Sequence, residues 1–199
     1  MAITRVKTSS VAQGPSTKKT LLGGNDVILG GSYDAIATAN GTGSSNTINF
    51  TSIPSTYKHL QIRGIVKSTT AGSSFSSVGF NVNSDTSSSY TRHILYGNGA
   101  TAYAYGVSAG TTWYIGGNDF PTAGYTSIFG AHIIDILDYA NTNKNKTVRA
   151  LTGCDVNGAG EILLSSTVFI KTDAISSIQL VSASGNFATN TQYALYGIK

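Results

Sequence analysis

Apolar and polar positions alternate most clearly at Leu60, Ile62, Gly64 and Val66, which interleave with His59, Gln61, Arg63 and Lys67. A period of two sends successive side chains to opposite faces of a pleated strand, so this stretch predicts a half-buried strand, with Ile65 breaking its polar face. Shorter runs predict further strands over 33–38, 47–51, 78–83, 90–96, 101–107, 112–115, 127–137, 147–154, 161–170, 177–182 and 192–198. Within 127–137, Ile133, Ile134, Ile136 and Leu137 direct apolar groups to both faces, which predicts a strand at the centre of a sheet. The polar stretch 138–146 then reads as the hairpin tip that follows it. Turn signals such as Asn40-Gly, Gly97-Asn-Gly, Gly116-Gly-Asn-Asp and Asn157-Gly separate the runs, and no window of twelve residues carries a helical stripe. The pattern predicts an all-β fold, a jelly-roll-like antiparallel β-sandwich over residues 32–199.

Composition agrees with strands and tight turns. Gly, Ser, Thr and Asn make up 87 of the 199 residues. Charged residues are only 11% against a hydrophobic fraction of 40%, the reverse of a disordered chain. The single Cys154 excludes an intrachain disulfide and reads as a small buried apolar residue. No apolar stretch approaches the length of a membrane span, and no continuous apolar segment follows the N-terminal basic residues as in a secretory signal.

Charge changes the picture at one end. Arg5, Lys7, Lys18 and Lys19 are the only charged residues before Asp26, and from there nine Lys and Arg balance nine Asp and Glu. The formal excess of +4 therefore lies in the opening stretch. With isolated apolar residues at Ile3, Val6 and Val11, that stretch cannot bury a core of its own. Residues 1–31 are read as an extended basic arm that docks on a neighbouring protein through Ile3, Arg5, Val6, Lys7, Val11, Lys18 and Lys19. Four charges without an aromatic among them are too thin a footprint for nucleic acid, which is not expected as a partner.

Candidate chemistry is sparse. Gly106-Val-Ser108-Ala-Gly110 fits the Gly-x-Ser-x-Gly string of a nucleophile elbow, but no helical pattern follows, and His132 and Asp135 fall in a predicted strand. Glu161 is the one Glu, and Asp135 and Asp138 have the odd spacing of opposite strand faces, so no carboxylate pair is set for glycoside hydrolysis. Asp135 is read as holding an internal hydrogen bond, Asp138 as capping the hairpin and Asp119 as shaping a turn. His59, His93 and His132 share no local metal spacing, and no phosphate loop is present. No enzyme, cofactor or metal is expected. Aromatic residues concentrate at Tyr103, Tyr105, Trp113 and Tyr114, close to Asn118 and Asp119 and broken by Gly and Ser. Rigid rings among small polar residues suit a loop that contacts a receptor, whereas alternate rings facing the core would give the same spacing.

Several strings resemble a family of tailed-bacteriophage virion proteins of marine and cyanobacterial phages. They are Met1-Ala-Ile-Thr-Arg-Val-Lys-Thr-Ser-Ser, Ser52-Ile-Pro-Ser-Thr-Tyr-Lys-His-Leu-Gln-Ile-Arg, His93-Ile-Leu-Tyr-Gly-Asn-Gly, Ile133-Ile-Asp-Ile-Leu-Asp-Tyr-Ala-Asn-Thr-Asn-Lys-Asn-Lys-Thr-Val-Arg and Tyr193-Ala-Leu-Tyr-Gly-Ile. Together they span nearly the whole chain. The resemblance implies a non-enzymatic structural protein of the virion, assembled in the host cytoplasm: a tail fibre, spike or baseplate component, expected as a homotrimer. Its arm would dock on other virion proteins and its body would contact a host surface glycan or protein. A capsid decoration (cement) protein or head fibre shares the same sequence features, and a free carbohydrate-binding module is a third reading.

Overall fold

A computed structural model describes residues 17–22, 25–30, 32–115 and 117–199. Every regular element among them is a strand. In chain order these are β1 (Thr17–Leu22), β2 (Asn25–Gly30), β3 (Tyr33–Asn40), β4 (Thr47–Phe50), β5 (His59–Val66), β6 (Phe75–Ser76), β7 (Val78–Val82) and β8 (Tyr90–Gly97). There follow β9 (Ala102–Gly110), β10 (Trp113–Tyr114), β11 (Phe120–Pro121), β12 (Gly130–Leu137), β13 (Lys146–Asp155), β14 (Gly160–Phe169), β15 (Ile178–Ser182) and β16 (Gln192–Ile198).

Two compact units divide at Asp34 and Ala35, three residues beyond the boundary expected from the sequence. In the first, β1 and β2 pair antiparallel from Thr17 opposite Gly30 to Leu22 opposite Asn25. Within the stretch read as an arm, residues 17–22 and 25–30 are thus two paired strands. Two short runs with apolar and β-branched residues flank Gly23-Gly24, which is a hairpin signal rather than a flexible joint. Lys18 and Lys19 lie on β1, whereas Ile3, Arg5, Val6, Lys7 and Val11 lie outside the described residues.

The second unit is an antiparallel sandwich. An eight-stranded sheet in the order β3-β16-β5-β12-β13-β14-β8-β9 faces a four-stranded sheet, β10-β7-β15-β4, across a shared core, with a two-stranded β11-β6 pair beside them. Alternation decides which side chains enter. Leu60 and Ile62 of β5, Ile134 and Ile136 of β12 and Leu195 of β16 meet Ile48 and Phe50 of β4 and Phe80 and Leu180 of the small sheet, all buried. β12 is central, with β5 and β13 as its neighbours. Yet only one of its faces is covered, because Ile133 and Leu137 on the other are each 40% exposed.

The hairpin tip between β12 and β13 is polar as expected, and it is anchored by a residue at its end. Lys146 is buried, and its ammonium donates to the carbonyls of Asn141, Lys144 (2.9 Å) and Thr172 (2.8 Å). Three backbone acceptors replace the water a lysine loses on burial, and that burial pushes its pKa down.

Candidate functional site

A candidate ligand surface forms at the rim of the large sheet, where β8 carries edge strand β9. Pairing of Tyr96 with Tyr103 and of Ile94 with Tyr105 brings three tyrosines onto one face. Tyr96 and Tyr103 stack at 4.9 Å and 18°, and Tyr105 meets Tyr96 edge-on at 6.3 Å and 82°. Tyr103 remains 43% exposed and Tyr105 39%. Arg92 lies one inward position beyond Ile94, and its guanidinium is 5.6 Å from the ring centres of both Tyr105 and Tyr114. Its Nη1 donates to the Tyr114 carbonyl at 2.9 Å, while its buried Nε–H has no acceptor. A hollow of about 310 Å³ opens here, lined by Arg92, Val107, Thr112 and Tyr114 among others. Exposed flat rings beside a hollow suit a ligand with apolar faces.

The aromatic cluster read from the sequence therefore splits. Tyr105 and Tyr114 flank Arg92, and Tyr103 stacks on Tyr96 farther along β8. Trp113 pairs with Phe80 through β10, and its side chain lies outside the described residues. Asn118 is exposed and donates to Glu161 Oε1 at 3.1 Å. Asp119 does not belong to the surface at all: it is 0% exposed, and the Val78 backbone N–H donates to its Oδ1 at 3.2 Å. A carboxylate enclosed behind β11 cannot reach a receptor from this fold. Arg92 was missed because its value comes from three separate strands meeting at one place.

Asp119 instead joins an enclosed chain of polar groups. Its Oδ2 is 3.6 Å from Nε2 of His132, whose Nδ1 is 2.8 Å from the Tyr193 hydroxyl. All three residues are buried. Burial pushes the His132 imidazole down to about 4, with the hydrogen bond to the Asp119 backbone opposing the shift. Burial likewise pushes the Asp119 carboxyl and the Tyr193 phenol well up. Tyr193 fits because its neighbour on β5 is Gly64, where a Cβ would collide with the tyrosine ring.

The remaining candidates stand apart. Ser108 is exposed on β9 beside Ala109, whose φ of +57° accompanies a break in register opposite Tyr90 and Arg92. His132 faces the core, whereas Asp135 points to the outer face and accepts from Gln61 Nε2 at 2.6 Å. Asp138 closes the hairpin against Lys144 and His59. Cys154 is half-buried, and its thiol is pushed up to about 11, mainly by burial and then by the charge of Asp119. Among the described residues no three His, Cys, Asp or Glu side chains stand close enough to hold a metal, and no helix is long and apolar enough to cross a membrane.

A larger hollow of about 630 Å³ lies on the outer face of the eight-stranded sheet, where Ala131, Gly153 and Gly97 sit beside Ile133, Leu151 and Ile162. The small residues come from three separate strands, so no local pattern announces it. Compared with known proteins, the chain matches no family model, no curated protein and no solved structure.

Proposed function

We propose that this protein is a non-enzymatic structural component of a tailed-phage virion, a tail fibre, spike or baseplate subunit whose N-terminal segment fastens it to other virion proteins. The observation that carries the reading is the division of the chain at Asp34, with four of the thirteen basic residues concentrated ahead of a sandwich that has its own core. Attachment and display are then separate tasks of separate units. The resemblance of the strings at residues 1–10, 52–63, 93–99, 133–149 and 193–198 supports the same reading, and it implies a homotrimer with a jelly-roll-like body.

Display falls to the terrace around Arg92. Tyr103 and Tyr105 offer exposed rings to the apolar faces of a sugar, so a host surface glycan is the ligand class it suits. A capsid decoration protein or head fibre would use the same two-part design, and locating one subunit in an intact particle by cryo-electron microscopy separates these positions.

The test is deletion of residues 1–24. The truncated chain is expected to keep the strand signature of the sandwich and to be missing from purified particles. Normal incorporation of the truncated chain would remove the anchoring role.

A further inference from the structure

The outer face of the eight-stranded sheet is an apolar surface without a covering layer in its own unit. Two rows cross it in register. One runs Ile133, Leu151, Leu164, Leu95, and the next runs Ala131, Gly153, Ile162, Gly97. Ile162 is 63% exposed, Leu95 54%, Leu164 48% and Leu151 46%. With Ile65 and Ile133 this amounts to on the order of 500 Å² of apolar surface, at the upper end for a monomer. That is close to the apolar share of a standard interface of about 800 Å² per partner.

The arrangement is complementary to itself. Rotation by half a turn about an axis lying in the face, midway between the rows and across the strands, exchanges one row with the other. Leu151 of each copy then faces Gly153 of its twin, Ile133 faces Ala131 and Leu95 faces Gly97, large against small over the hollow of about 630 Å³, while on β14 Leu164 faces Ile162, large against large. The same rotation brings Arg149 opposite Asp155, because they are the outward residues flanking Leu151 and Gly153 on β13. Both are exposed, and Arg149 makes no ion pair among the described residues. Arg63 and Asp135, the other outward charges nearby, are already occupied through Gln61 at 2.6 Å each.

We propose that two copies of this chain pair through this face, sheet against sheet about a two-fold axis, with Leu151 seated over Gly153 and Arg149 paired with Asp155 at both ends. The pairing surface is distinct from the terrace around Arg92, and it does not depend on the virion reading. A three-fold assembly through another surface would give six chains rather than three.

Sedimentation of the full-length protein across a dilution series tests it. Wild type is expected as an even number of chains. Leu151→Glu and Leu164→Glu, both on an outward face, are expected to weaken pairing at least about tenfold while circular dichroism stays unchanged. Arg149→Asp should weaken it as well, and adding Asp155→Arg should restore it by exchanging the two charges. A wild-type monomer, a trimer indifferent to Leu151→Glu, or a charge exchange that restores nothing would each overturn the pairing. Any of these would leave the anchoring role of residues 1–24 to be judged by its own test.

Discussion

Tyr193 Oη lies 2.8 Å from His132 Nδ1 at a place in the sandwich that solvent does not reach, and Asp119 closes the far side of the ring at 3.6 Å. The Tyr193–His132 hydrogen bond ties β16 to β12, and the Val78 N–H ties Asp119 to β7 through Oδ1, while Asp119 Oδ2 has no hydrogen-bond partner. Enclosed polar groups of this kind cost much if one is left unpaired, which fixes the register of the strands that carry them.

The buried pair should make stability depend on pH through its histidine. His132 titrates near 6.5 in the unfolded chain and is pushed down to about 4 in the folded one, whereas burial raises the Asp119 carboxyl above its unfolded 3.8. The lowered histidine makes stability rise between pH 4 and 6.5, because only the unfolded state binds its proton there; the raised carboxyl opposes this, because the folded state holds its proton beyond pH 3.8. In Asp119→Asn only the histidine differs between states, so stability should rise from pH 4 to 6.5 by about 1.4 kcal/mol per pH unit and stay level above. Thermal melts of both proteins from pH 4 to 8 check this: wild type should gain less over that interval than Asp119→Asn, and an equal gain contradicts the assignment.

Gly64→Ala should destabilise the sandwich by about 1–3 kcal/mol, because the added methyl meets the Tyr193 ring in a packed interior. The midpoint of urea unfolding measures it. A neutral result would mean that the ring has room to move aside.

Lys146→Met keeps the length of the side chain and removes its ammonium. The carbonyls of Asn141, Lys144 and Thr172 then lose their donor, and a loss of about 2–3 kcal/mol is expected. Hydrogen exchange should show the loop from β12 to β13 opening first. An unchanged exchange pattern would put the weight of that hairpin elsewhere.

Tyr103→Ala together with Tyr105→Ala should lower adsorption to host cells at least about tenfold without reducing incorporation into particles, since each ring offers roughly 1 kcal/mol or more of stacking. Both side chains stand on an exposed edge strand, so the fold should tolerate the change. Unaltered adsorption would return the terrace to a purely structural part of the rim.

Strands with strict alternation were legible from the sequence because one covered face imposes a period of two. The span 192–198 coincides with β16, and β5 and β14 begin or end within a residue of their expected limits. β6 and β11 are two residues each and carry no period to read. β12 was legible as a central strand, but Ile133 and Leu137 looked like a second buried face when they are open surface. For the candidate site, the tyrosines of β9 were visible as a cluster, whereas Arg92 and the burial of Asp119 depend on residues brought together from distant parts of the chain. Asp119 among Gly and Asn has the local signature of a turn, and only tertiary packing encloses it.

β16 lies between β3 and β5, so a strand far along the sequence holds the early edge strand β3 to the other six strands of the large sheet. A chain cut before Gln192 leaves both β3 and β5 with open hydrogen-bonding edges. Partners so distant in sequence make for slow closure of the sheet. Truncation before Gln192 should consequently yield aggregates rather than slightly shortened subunits.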